Sequence, residues 1–141
     1  MNAPLIDLAP LRRALAMLQE ALVFWHAQAD GAALKPHLRS AVIQSFEFTY
    51  ELSVRLLRRV LVERALAAEA VVDLSFNDLL RAGADAGLLA DSQAWRIWRE
   101  LRNATSHAYD EAKAQAVATD ASGFVTDAAS LLAALEVSLG G

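Results

Sequence analysis

Between Pro36 and Ala67 the chain contains no glycine and no further proline, and its apolar residues recur at helical steps over more than half of a helix's circumference. Ile43, Phe46, Tyr50, Leu57 and Val60 make one stripe, which Val42, Leu52 and Leu56 widen. Proline is tolerated in a first helical turn, where its missing N–H has no partner to lose. A helix this apolar is either central to a bundle or shared with a partner chain, and both readings are consistent with a dimer.

The rest of the chain supplies helices for such a bundle. Alanine and leucine dominate and β-branched residues are sparse, so the class is all-α. The first segment, from about Leu5 to Ala29, places Leu11, Leu15, Leu18, Leu22 and Trp25 at three- and four-residue steps, and Asp30-Gly31 closes it. After the second helix, a connector over Ala68 to Leu74 leads to a short helix from Ser75 to about Ala86, with Gly87 as its stop. Asp91 is suited to cap a fourth helix from Ser92 to about Tyr109. A fifth runs from Glu111 to about Leu139, with a bend expected near Gly123. The expected architecture is an antiparallel four-helix bundle with an extra short helix in one connection. At 141 residues this is a single domain, 1–141.

Composition narrows the function classes. With 55% apolar and 21% charged residues the chain is no disordered linker. Its net charge of −4 argues against a surface that grips nucleic acid everywhere, while leaving room for a local basic site. Cysteine is absent, which removes disulfides and thiolate chemistry and fits a reducing cytoplasm. The start, MNAPLIDLAP, lacks a signal-peptide pattern, and no stretch is expected to supply the roughly 20 apolar residues of a membrane span. A cytoplasmic chain with no membrane role is the expectation.

The fourth helix is the informative one. Its apolar stripe reads Ala94, Ile97, Leu101, Ala104 and Ala108. At about 100° per residue, one flanking face carries Arg96, Arg99, Asn103 and His107, and another carries Trp95, Trp98, Arg102 and Tyr109. A basic row beside two large aromatics can serve as an electrostatic and stacking platform for RNA, with Arg96, Arg99, Trp95 and Trp98 as the contacting residues. The same pattern also describes a solvated helix face with two tryptophans in the core. A histidine titrates near neutrality, so His107 can move a proton. Arg102 can hold a phosphate by paired hydrogen bonds, and Asn103 can orient the imidazole. Alternatively, Asn103, Ser106 and His107 merely finish the helix, where the macrodipole favours histidine. Arg102 and His107 are separated by about 140° around an ideal helix, so a site using both needs a distorted helix end or a second copy of the chain. Glu47 and Glu51, one turn apart on the second helix, either pair with Arg55 and Arg58 or position arginines of the fourth helix.

Other chemistries have weaker support. His26 and His37 have no partner at metal-ligand spacing, so no metal is expected. No glycine-rich phosphate loop or serine nucleophile elbow is present, and no cofactor is implied.

As text, Ser45-Phe46-Glu47-Phe48-Thr49-Tyr50-Glu51-Leu52 and the run GLLADSQAWRIWRELRNATSHAYDEAKA from Gly87 to Ala114 resemble the nucleotidyltransferase substrate-binding proteins of the HEPN superfamily. Arg102-Asn103-Ala104-Thr105-Ser106-His107-Ala108-Tyr109 fits the R-x4-H-x-Y motif of HepT-type toxins. The resemblance extends from about Leu5 to Leu135. It implies a homodimeric helical bundle, a small nucleotidyltransferase as partner and, in the toxin reading, metal-independent cleavage of RNA. Arg102 and His107 would then be the catalytic pair with Asn103 in support, and Tyr109 the target of an AMP-transferring antitoxin. The older family name implies instead a non-catalytic subunit that presents substrate. Two departures stand out: Val54-Arg55 replaces an expected tryptophan and lysine, and the connector reads AAEAVVDLS without the expected glycine and proline.

Overall fold

A computed structural model describes residues 6–65 and 67–140. The helices are α1 (Ala9–Ala27), α2 (Lys35–Arg64), α3 (Ala68–Val72), α4 (Phe76–Asp85), α5 (Ser92–Ala104) and α6 (Glu111–Gly140), with no strand among the described residues. Each boundary has a local cause. Proline stands in the first turns of α1 and α2, the Ser75 hydroxyl caps α4 at Asp78 N (3.2 Å), and the Asp91 carboxylate caps α5 at Gln93 N and Ala94 N. Gly31 and Gly87 adopt positive φ (88° and 77°), the conformation that makes glycine an effective helix stop. Lys35 closes the α1–α2 corner by donating to the carbonyls of Trp25 (2.6 Å) and Gln28 (2.9 Å) at the end of α1.

Helices α1, α2, α5 and α6 alternate in direction as a four-helix bundle. Arg12 near the start of α1 meets Glu136 near the end of α6 (2.8 Å), while Arg64 at the end of α2 reaches Ser138 at the end of α6. The expected stripes are the core: Leu11, Leu15, Leu18, Leu22 and Trp25 of α1 are buried, as are Val42, Ile43, Phe46, Tyr50, Leu56, Leu57 and Val60 of α2. Phe124 of α6 is the hub on the α5 side, meeting Phe46, Trp95 and Trp98 edge-on at centroid distances of 5.0, 5.5 and 5.6 Å.

The structure departs from the sequence-based expectations at several points. The first helix begins at Ala9 and ends at Ala27, and Leu5, its expected start, lies outside the described residues. The second stops at Arg64, and the connector after it holds the short helix α3. Helix α6 passes through Gly123 without interruption. The reason for glycine there is space, because a Cβ would stand 3.2 Å from the Trp98 ring. By length and composition α6 is also apolar enough to cross a membrane, contrary to the expectation that no stretch is. Alanine raises its average apolarity, and its face from Ala114 to Leu135 lies in the bundle core.

Candidate functional site: the end of α5

Helix α5 does not reach Tyr109. It ends at Ala104 and tightens into one 3-10 turn, Thr105–His107, before Asp110 starts α6 by accepting from Lys113 N (3.1 Å). The inward face is only partly the expected one: Leu101, Ala104 and Ala108 are half-buried against the core. Ile97, placed on the core stripe, is 61% exposed, and the side chain driven into the core is Trp95, only 2% exposed. Burying the largest apolar surface outweighs the neater alanine-rich stripe. Trp95 is therefore excluded as a stacking platform for RNA. Trp98 is half-buried over Phe124, and its indole N–H donates to Asp127 Oδ2 at 2.7 Å, so its ring edge belongs to the α5–α6 contact. Arg96 and Arg99 are exposed, and the Arg99 guanidinium lies 4.6 Å from the centroid of Phe76 on α4.

The inward face of α5 becomes polar in its last turn. Arg102 points at α2, where its Nε and Nη2 donate to Glu51 Oε1 at 3.1 and 2.6 Å. Its Nη1 donates to Thr105 Oγ1 at 2.9 Å and stands 3.2 Å from Glu47 Oε2. The Thr105 hydroxyl is within 2.9 Å of Glu47 and 2.7 Å of the Arg102 carbonyl, so its single proton serves one of them at a time. Glu47 and Glu51 thus hold the arginine of α5, while Arg58 turns to the carbonyls of α3 and the loop after it. Hydrogen bonding to Glu51 is the main cause that raises the Arg102 pKa, so the guanidinium is a permanent charge. A guanidinium has five N–H donors, and at least one is left for an anion.

His107 and Tyr109 point away from this cluster. Both are exposed, Tyr109 to 87%, and their rings meet at 6.3 Å. Asn103 is exposed too, and its carbonyl accepts from the Ser106 hydroxyl at 2.9 Å. Among the described residues no hydrogen bond connects Arg102 with His107. One copy of the chain thus clusters Arg102 with two carboxylates and leaves His107 beside Tyr109 in solvent. Thr105 escaped the sequence reading, although a buried hydroxyl three residues from an arginine on one helix face is a usable signal. No group of three or more potential metal ligands occurs among the described residues.

The comparisons with known proteins agree with this fold. Residues 6–137 match the family described as nucleotidyltransferase substrate binding protein like. A curated protein of Haemophilus influenzae named Probable ribonuclease HepT is 38% identical over 95 residues, which are 67% of this chain and 65% of that protein. The match therefore spans just under two thirds of that relative's length. A solved Haemophilus influenzae structure, presented as the fold of a substrate binding domain of a nucleotidyltransferase, superposes with a TM-score of 0.85 at 32% identity. That alignment covers 92% of this chain and 99% of the other. With the family match running nearly end to end and the bundle shared, the chain belongs to the nucleotidyltransferase substrate-binding protein family, in the HepT-type branch of the HEPN superfamily.

Proposed function

We propose that the chain is a metal-independent endoribonuclease of the HEPN toxin type, acting in the cytoplasm through Arg102 and His107. The observation that supports this most is the end of α5, where a permanently charged guanidinium is held in place by Glu47, Glu51 and Thr105 one turn before an exposed histidine. The 2′-hydroxyl oxygen of RNA would attack the adjacent phosphorus as the bond to the 5′-oxygen breaks, leaving a cyclic phosphate and a free 5′-hydroxyl. His107 would take or return the proton, and Arg102 would balance the charge gathering on the phosphoryl oxygens. Asn103 would support the imidazole.

A homodimer is part of the proposal. Ile97, expected in the core, is instead exposed at a hollow of about 490 Å³ lined by Ile97, Trp98, Glu100, Leu101, Ala104 and Asp120. A second copy covering it would bring another His107 towards the cleft. The partner nucleotidyltransferase would join Tyr109 Oη to the α-phosphorus of a nucleoside triphosphate with loss of pyrophosphate. The added phosphate and bulk beside His107 would exclude RNA. An RNA-binding role for Arg96 and Arg99 remains part of this reading, since both are exposed.

One observation favours a second reading, a non-catalytic subunit that presents substrate to a nucleotidyltransferase. Two carboxylates already neutralise Arg102 in the single chain. The test is cleavage of total cellular RNA in EDTA by the parent, Arg102→Ala and His107→Ala. The nuclease reading expects cleavage by the parent, cyclic-phosphate ends and at least a roughly hundredfold loss in each variant. A folded chain, unmodified at Tyr109, that cuts nothing would move the assignment to the presenting subunit.

A further inference from the structure

On its α2 side the Arg102 cluster runs into a groove that the proposed chemistry leaves unused. The groove, about 640 Å³, lies along α2 beside α3, and Tyr50 and Glu51 line it together with Val54, Val62 and Val72. Glu51 is the carboxylate that grips Arg102, so the groove begins where the site ends. Its volume falls in the range of about 300–1,000 Å³ typical of clefts for small organic groups, enough for a nucleobase and its sugar. Arg55, Arg58 and Arg59 line it against Glu51 and Glu63, so its walls carry a small excess of positive charge in a chain of net charge −4. Arg58 is committed to structure, its Nη1 donating to the carbonyls of Val71, Val72 and Leu74 at 3.0–3.2 Å and so fastening α3 as one wall. Arg55 and Arg59 are exposed. The ion pairs among the described residues involve Arg12, Lys35, Arg39, Arg81 and Arg102, and leave these two guanidiniums unpaired.

We infer that this groove binds single-stranded RNA beside the scissile phosphate, with Arg55 and Arg59 on backbone phosphates and a base against Val54, Val62 and Val72. The inference rests on the ribonuclease reading only for where the scissile phosphate sits. Arg55 and Arg59 are one helical turn apart, roughly 5–6 Å between Cβ atoms, which suits neighbouring phosphates of one strand. An apolar floor between guanidiniums takes an unstacked base, whereas a duplex offers only its backbone. The groove would thus select single strands and set which base flanks the cut.

The test is fluorescence anisotropy with a fluorescein-labelled single-stranded RNA of about 12 nucleotides, a length within the site sizes of single-strand binders. A His107→Ala background prevents cutting. Arg55→Ala/Arg59→Ala should bind at least about tenfold more weakly, with the slope of log K against log salt reduced by about 1.4, two contacts at roughly 0.7 each. Arg55→Lys/Arg59→Lys should keep most of that slope, and the parent should bind the matching duplex less tightly than the single strand. Unchanged affinity and slope in the alanine variant would overturn the inference. So would its loss of self-association in sedimentation, which would make the groove an interface between copies. The two proposals fail separately. Cleavage that ignores Arg55 and Arg59 removes the groove alone, while arginine-dependent binding by a chain that cuts no RNA removes the nuclease alone.

Discussion

The two halves of α5 differ in what their inward residues touch. In the first half, Trp95 and Trp98 rest on Phe124, and the Trp98 indole nitrogen is matched by Asp127. In the second half and the turn that follows, the same face carries Arg102 and Thr105, which meet Glu47 and Glu51 on α2. The first half fixes where the helix lies by apolar burial, which is strong but non-directional. The second fixes how one guanidinium is oriented by hydrogen bonds, which are directional and individually modest. The site inherits its position from the tryptophans and its geometry from the carboxylates. The helix then tightens at Thr105–His107, and the remaining motif residues turn outwards.

The comparison is tested most severely by stability. Trp95→Ala should cost about 3–5 kcal/mol in chemical denaturation, while His107→Ala, on the exposed turn, should stay within about 0.5 kcal/mol. Equal costs would mean that the two halves are not divided as described. A smaller effect is expected where they meet. Thr105→Val keeps the shape but strips the hydroxyl from between Arg102 and Glu47, for about 1–3 kcal/mol, and Thr105→Ser should restore most of it. If Thr105→Val is neutral, the carboxylates alone orient Arg102.

The smallest effect concerns Tyr50, which lies between the halves. Burial raises its pKa, outweighing the opposing pull of Arg99 and Arg102. The folded chain therefore holds the phenolic proton more tightly than the unfolded one. That contribution is fully present below the ordinary tyrosine value of 10.0 and is lost as pH rises through the folded value. Above about pH 10, the parent should lose stability more steeply than Tyr50→Phe. Parallel curves would show that the hydroxyl reaches solvent freely.

Much of the fold was legible because leucines and aromatics at three- and four-residue steps have one economical solution, a bundle. The α1 and α2 stripes follow from their spacing, and Gly31 and Gly87 mark the turns after α1 and α4. Helix α5 misled the periodicity argument because it carries two candidate faces. The alanine-rich one fits the pattern better, but the tryptophan one buries more surface, so Trp95 left the RNA platform for the core. The choice offered for Glu47 and Glu51, Arg55 and Arg58 or the arginines of the fourth helix, was decided by a contact across more than fifty residues. The groove was visible in sequence only as anomalies. Val54-Arg55 and the connector AAEAVVDLS, the two departures from the family pattern, both contribute residues to it.

The sequence by itself determined the long helices, the buried stripes of α1 and α2 and the family, because periodicity and motif are local properties of the text. Only the tertiary structure decided which face of α5 is inside, which carboxylates hold Arg102, and that His107 stands apart from it in a single chain. Those outcomes depend on which surfaces compete for burial once the helices meet, and no spacing along one helix encodes that competition.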